Sequence, residues 1–444
     1  MIVTNTLQET PLFERLRPYQ REGASFLFHQ KSALLADEMG LGKTVQAAVA
    51  LEALKDINRR VLLVAPAPLC LNWMSELGKW ARSLVVRRVS GSAQDRQVTY
   101  RLPIQVLITS YEQLRADIDS IASSIEFDLV ILDEVQRIKN IDSTTSLACR
   151  RIRRKSSWGL SGTPLENSVD DLLSIFRFLA PQLLRPGMSR SEIHATMQDH
   201  FLRRTKAQVL SELPPIIVRD IRLELGPHQR QVYESIWSKR LSSMDGQHGS
   251  TRVASMLAVL TRLKQICNFD PTTGDSAKWD VLQGLFESIE QSGGKGLVFS
   301  QYVETLQWLS QRLTITHEVY HGGLSDDHRE QITDRFRERP GPRVMLVSLK
   351  AGGVGLNLQE ASTVILFDRW WNPAVEHQAV QRAHRFGKET PLQVIRFVVE
   401  DTIEERITEI LENKAALFDE YIEDAPVIAA EKLSEQDLRR ILDL

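Results

Sequence analysis

Eight residues, Asp37-Glu38-Met39-Gly40-Leu41-Gly42-Lys43-Thr44, carry the chain's clearest chemistry. They lie between a short apolar run, Ala33 to Ala36, and a run of good helix formers, Val45 to Leu51. Gly40 and Gly42 let the backbone curl so that its N–H groups converge on one point, and the helix start adds partial positive charge there. The result is an anion cradle suited to the phosphates of a nucleotide. Lys43 would reach the β- and γ-phosphates and Thr44 would hold Mg²⁺ through its hydroxyl. A strict P-loop pattern wants glycine where Asp37 stands. Further along, the apolar run Phe127 to Leu132 ends in Asp133-Glu134, two carboxylates at the end of a strand, where open α/β sheets bind ligands. Asp133 would hold Mg²⁺ from a second side, and Glu134 would accept a proton from, or orient, the attacking water. In the second half, Gln378 to Arg385 reads as a helix with Arg382 and Arg385 on one face. Guanidinium forks suit the spread charge of a transferring phosphoryl group, and an arginine finger is worth about 10³–10⁵ in rate.

With those three groups in place, the chain resembles the Swi/Snf family of helicase-like ATPases, within helicase superfamily two. The blocks that carry the resemblance run in order from Leu16-Arg17-Pro18-Tyr19-Gln20 and Asp37 to Thr44 through Val64-Ala65-Pro66, Asn72-Trp73, Ile108-Thr109-Ser110-Tyr111, Asp133 to Asn140 and Leu160 to Asn167. The second half adds Val298 to Tyr302, His321-Gly322-Gly323, Ser348 to Leu358, Trp370-Trp371-Asn372-Pro373 and the Gln378 to Arg385 segment. The departures are Gln136 where the family usually has His, Phe386-Gly387-Lys388 where it usually has Ile-Gly-Gln, His377 where a carboxylate or amide is commoner, and a short Leu179 to Arg203 segment. None removes a residue that hydrolysis requires.

The resemblance implies two RecA-like lobes and an ATP-driven motor on double-stranded DNA that displaces or remodels bound protein without separating strands. ATP and Mg²⁺ would be its cofactors, with Gln20 reading adenine beside Tyr19, and Gly355 also at the nucleotide. Ser110, Tyr111, Arg204, Ser300, Gln301, His321, Gly322, Lys350, Gly352 and Gly353 would contact DNA phosphates, fixing register without reading bases. A strand-separating helicase and a non-hydrolysing nucleotide switch are the other readings. The first is disfavoured because no wedge-bearing domain is visible, the second because Lys43, Asp133, Glu134, Arg382 and Arg385 are all present. The expected motor is a monomer brought to its target by a partner protein.

The elements that must position these residues are legible as strand-then-helix repeats. Apolar strands recur at Ala33–Ala36, Val61–Ala65, Val106–Thr109, Leu129–Leu132 and Gly159–Ser161, then at Gly296–Ser300, Glu318–His321, Val344–Ser348, Val364–Phe367 and Val394–Val398. This alternation predicts an α/β fold of two parallel sheets, each with helices on both faces. The expected division is residues 1–210 for the ATP-binding lobe and 211–444 for the lobe with the arginine fingers. Leu213-Pro214-Pro215 would mark the hinge, residues 227–270 a helical protrusion and 404–418 a brace helix returning across the lobes. Leu438, Ile441 and Leu442 predict a final amphipathic turn capped by Ser434.

At 444 residues, 42% hydrophobic and 25% charged, the composition is that of a globular protein of two or three domains. No apolar run reaches membrane length, and the N-terminal residues lack the regions of a signal peptide, so a cytoplasmic enzyme with no membrane partner is expected. Cys70, Cys149 and Cys267 are spaced too widely for a metal site and read as core thiols. The net charge of −2 argues weakly against nucleic-acid binding, but Arg150 to Lys155 and Arg203 to Lys206 are basic clusters. The first is equally a solvated face or a phosphate contact, whereas the second matches a family block and is the better candidate for coupling DNA to ATP. Trp370 and Trp371 read as core packing rather than as base-stacking platforms.

Overall fold

The computed structural model describes residues 7, 10, 12–55, 59–162, 169–185, 187–210, 213–240, 249–349, 356–371, 373–385, 387–419 and 435–443. The chain divides into two compact units, Met1–Glu212 and Leu213–Leu444.

The first unit is built on seven parallel strands: β1 (Ser32–Leu35), β2 (Val61–Ala65), β3 (Val86–Arg88), β4 (Val106–Ser110), β5 (Glu126–Asp133), β6 (Arg153–Leu160) and β7 (Phe201–Leu202). Their order across the sheet is β3-β4-β2-β5-β6-β1-β7. Every residue of β2 and β4 is buried, as expected of strands covered on both faces. Leu62 and Val64 face a large core with Tyr100, Tyr111, Leu114 and Phe176. The helix Lys43–Ala53 packs Val49 and Ala53 against Ala24 and Phe13.

The second unit repeats the plan with β8 (Ile216–Leu223), β9 (Gly296–Ser300), β10 (His317–Tyr320), β11 (Val344–Ser348), β12 (Thr363–Leu366) and β13 (Leu392–Val399), all parallel, in the order β10-β11-β9-β12-β13-β8. Leu297 and Phe299 join the core on one face, with Ile332 and Phe336, while Val298 joins the other, with Leu306 and Phe286. The fold class read from the sequence is therefore the one observed. A separate helical cluster gathers the helices Pro227–Ser238, Gly249–Asn268, Ile403–Asp419 and Glu435–Leu442 around Tyr233, Leu260, Ile407, Leu438 and Ile441.

Three strands escape the sequence reading. β3 and β7 are very short, and β8 is a largely exposed edge strand without an alternating pattern. The segment Leu213-Pro214-Pro215, expected to mark the hinge, stands where the second unit begins and leads into β8, with the Pro215 carbonyl accepting from Leu392 N at 3.1 Å and Pro214 O lying 2.8 Å from His384 Nε2. Proline suits the start of an edge strand, where no ladder donor is lost. Among the described residues no helix is long and apolar enough to cross a membrane. All three cysteines are buried and free, and burial pushes the Cys149 and Cys267 thiols up to about 12.

Candidate functional site

The cradle forms where β1 ends. Gly40 and Gly42 take left-handed backbone, at φ 93° and 78°, and Gly42 caps the helix Lys43–Ala53. A Cβ on Gly42 would sit 2.6 Å from Gln20 Nε2, and the left-handed backbone would strain any other residue there. Gln20 donates through that nitrogen to Leu41 O at 3.2 Å and accepts from Arg17 N, also at 3.2 Å. The ammonium of Lys43 lies over the loop, donating to Asp37 O at 2.7 Å. Ser161-Gly162 adjoins it, since a Cβ on Gly162 would be 3.2 Å from Lys43 Nζ.

Asp37 is a correction. Its carboxylate is fully buried and accepts Arg204 Nε at 3.0 Å, Arg204 Nη2 at 2.6 Å and Gln46 Nε2 at 3.1 Å. It shapes the cradle from behind and has no face left for a ligand. Arg204 is the matching correction: a guanidinium buried against Asp37 does not reach DNA.

Asp133 closes β5, and its two oxygens accept Trp73 Nε1 at 2.8 Å and Glu134 N at 2.9 Å. Burial, and then the Glu134 charge, push its carboxyl up to about 7, with Lys43 pulling the other way. Glu134 stands in left-handed backbone at φ 51°, a conformation that costs a non-glycine residue of order 1–3 kcal/mol. Its Oε2 accepts Gln136 Nε2 at 2.5 Å, and Gln136 Oε1 accepts Ser161 Oγ at 2.9 Å. A hydrogen-bonded line thus runs from Ser161, beside the lysine, to the Glu134 carboxylate. The donor set fits a Mg²⁺ that arrives with a nucleotide. Thr44 is half-buried and Asp133 nearly buried, while no group of three or more His, Cys, Asp or Glu able to hold a bare ion gathers among the described residues.

In the second unit the finger segment departs from the expected helix. Helix Pro373–Val380 stops before the arginines, and Arg382 N and Ala383 N donate to Ala379 O and Val380 O. At these two residues the bonding tightens from four residues to three, while His384 N keeps a four-residue bond to Val380 O, so the regular helix gives way to turns. Arg382 is buried and Arg385 half-buried. Burial, and then the charges of Arg382 and Arg337, press the Arg385 guanidinium down.

Four other DNA-contact expectations are corrected. Ser110 is buried as the cap of helix Tyr111–Ile121, accepting Gln113 N at 3.1 Å, and the buried Tyr111 hydroxyl donates to Asp133 O at 2.8 Å. Ser300 Oγ and Gln301 Nε2 both donate to the buried Asp368 carboxylate, the latter at 2.8 Å. These polar groups are spent inside the fold. His321 and Gly322 do lie on an open turn, where Gly322 is exposed. Lys350, Gly352, Gly353 and Gly355 lie outside the described residues. The Arg150 to Lys155 run is mostly engaged: Arg151 pairs with Asp119 at 2.7 Å, Lys155 with Asp128 at 2.7 Å, and Arg150 and Arg154 bond backbone carbonyls, leaving Arg153 exposed. Trp370 and Trp371 pack against core clusters, and Lys264 Nζ sits 4.1 Å from the Trp371 ring centre.

Sequence reasoning passed over Trp73, Gln46, Ser161 and Asp368 as site-shaping residues. Gln46 did carry a signal, as a lone amide among the alanines and valines of a buried helix.

Two sheets of RecA type, with a glycine-rich cradle in the first, define a two-unit helicase-like architecture. The SNF2-related domain model matches residues 19–272, and the model of the helicase conserved C-terminal domain matches residues 277–387. The chain belongs to the SNF2-related family. It is 34% identical to an uncharacterized ATP-dependent helicase of Mycoplasma pneumoniae, over 96% of this chain and 44% of that protein. It is 32% identical to the putative ATP-dependent helicase/translocase YwqA of Bacillus subtilis, over 97% of this chain and 51% of that one. With the chromodomain-helicase-DNA-binding protein 3 homolog of Caenorhabditis elegans it shares 31% identity, over 90% of this chain and 26% of that protein. The chain thus spans about half the length, or less, of these curated relatives. Among solved structures, the Sulfolobus solfataricus SWI2/SNF2 ATPase core in complex with dsDNA is 29% identical, covers 97% of both chains and has a TM-score of 0.44.

Proposed function

We propose that this chain is an ATP-hydrolysing motor that translocates on double-stranded DNA and displaces or remodels bound protein without separating the strands. The observation that carries the reading is the convergence, in one unit, of the Lys43 cradle with the Asp133–Glu134 pair and the Ser161–Gln136 line behind it. Family membership and the helicase/translocase name of the Bacillus relative support the motor class. The DNA-binding name of the Caenorhabditis relative supports the nucleic-acid partner.

In this reading the backbone N–H groups at the start of helix Lys43–Ala53, with Lys43 itself, bind the β- and γ-phosphates of ATP. Thr44 and Asp133 would hold Mg²⁺, which neutralises developing phosphate charge. Glu134, oriented by Gln136, takes the proton of the attacking water. Arg382 and Arg385 supply positive charge to the transferring group when the second unit joins the first in the working cycle. The open His321-Gly322 turn and the glycine-rich residues 350–355, which lie outside the described part of the chain, contact DNA phosphates, which carry no sequence address. A monomeric motor with such contacts takes its target from a partner protein.

Phosphate release measured with duplex, single-stranded or no DNA tests the motor. Duplex should stimulate most. Movement without unwinding is read from displacement of a third strand from a triplex, while a forked duplex stays paired. Efficient fork separation, or equal stimulation by single strands, would replace this reading with a strand-separating helicase.

A further inference from the structure

Arg204 is the most fully engaged side chain near the cradle. All five of its guanidinium N–H directions meet acceptors: Nε and Nη2 donate to the two oxygens of Asp37 at 3.0 and 2.6 Å, Nη2 also to Gln46 Oε1 at 3.0 Å, and Nη1 to Glu22 Oε2 at 3.0 Å and to the Tyr19 carbonyl. The guanidinium also lies 5.6 Å from the centre of the Tyr19 ring. Only Glu22 among these partners is largely exposed. Packing has been arranged around this contact, because a Cβ on Gly23 would come within 1.7 Å of Gln46 Oε1 and 2.7 Å of Arg204 Nη2. The backbone repeats the link, with Glu38 N donating to Arg204 O at 2.9 Å and Lys206 N to Glu38 Oε2 at 2.7 Å.

Each partner touches the cradle in turn. Asp37 O accepts Lys43 Nζ at 2.7 Å, Gln46 Nε2 donates to Leu41 O at 3.2 Å, and Gln20, next to Tyr19, donates to the same carbonyl. A glycine at position 37 would leave the loop's entry to its own conformational preferences. The aspartate anchors that entry to an element 167 residues away. We propose that Arg204 is a positioning residue for nucleotide binding, holding the cradle's entry, the Lys43 helix and the Tyr19-Gln20 segment in one arrangement through Asp37 and Gln46. The inference rests on the nucleotide-site reading above, and makes Arg204 part of the ATP machinery from behind the loop.

The test uses the full chain, Mg²⁺ and a fluorescent ATP analogue, with melting temperature followed alongside. Arg204→Gln and Asp37→Asn should each weaken nucleotide affinity about tenfold or more, since displacing a positioning group by about 1 Å can cost 10²-fold. The double variant should lose no more than either single one, because both act along one line. Arg204→Lys keeps charge without the fork, and should fold and bind between wild type and Arg204→Gln. Leu114→Ala, in the distant core, is the control: it should lower the melting temperature and leave affinity alone. Unchanged affinity in the Arg204 and Asp37 variants, while wild type binds, overturns this inference only. So does an equal loss in Leu114→Ala, which would make the effect one of general stability. A wild type that does not bind the analogue overturns the nucleotide-site reading and this inference with it.

Discussion

Glu134 holds left-handed backbone while its carboxylate is gripped by Gln136, which is itself gripped by Ser161. This geometry separates the roles of neighbouring residues. Lys43→Ala should weaken nucleotide binding and abolish turnover, whereas Glu134→Gln should still bind ATP and lose turnover. Gln136→Ala should fall between, lowering turnover about tenfold with ATP affinity retained, because it frees the Glu134 side chain without removing it. Equilibrium binding read beside phosphate release sorts the three, and parent-level turnover in Glu134→Gln would remove the base assignment. At this scale the sequence was legible where residue type and local spacing define the chemistry, as in Gly42-Lys43-Thr44 and Asp133-Glu134. It was not legible where a side chain's partner is far away in sequence. Arg204 reads as a phosphate-contacting cation until Asp37 is brought to it, and Ser110 and Gln301 read as phosphate contacts until their cap and carboxylate are seen.

Among elements, the helical cluster of the second unit is joined to its sheet by buried charge. Lys278 Nζ, fully buried, donates to Glu404 Oε1 at 2.7 Å, Phe367 O and Asn268 Oδ1, while Lys264 donates to Arg369 O. Burial pulls the Lys264 pKa down to about 8, against the pull of Asp368 and Glu404. The unfolded chain keeps that lysine protonated up to its ordinary value near 10.4. Between about pH 8 and 10.4 the unfolded state therefore binds the extra proton, so this group makes stability rise with pH across that window. Lys264→Met should flatten that part of the denaturation profile, and a profile identical to wild type would refute the assignment. Ile407→Ala, at the centre of the same cluster, should cost about 2–5 kcal/mol in chemical denaturation. The central strands of both sheets were plain in the sequence because full burial demands unbroken apolar runs. β8 was hidden because an edge strand with one neighbour tolerates Arg219, Asp220 and Arg222, and so carries no such run.

For the whole molecule, the two units keep separate cores, which makes the first a testable piece. Residues 1–212 alone should bind nucleotide with near-normal affinity and fail to hydrolyse it, since Arg382 and Arg385 lie in the second unit. Turnover by the fragment at the full chain's rate would exclude a finger role for either arginine. A net charge of −2 leaves any DNA contact to local groups, so affinity should drop with salt along a log–log slope of roughly −0.9 per phosphate neutralised. Titration across ionic strength counts those contacts. A flat response would exclude the phosphate-dominated mode. The pairing of β8 with β13 has a consequence in time. Asp220 and Arg396 meet across a separation of 176 residues, and the eight-residue ladder between these strands joins the first strand of the second sheet to its last. The first sheet's long strands are all in hand once Leu160 has been made, and only the two-residue β7 is added afterwards. On a ribosome the nucleotide cradle can therefore take shape early, while β8 waits with an open edge until nearly the whole second unit has emerged.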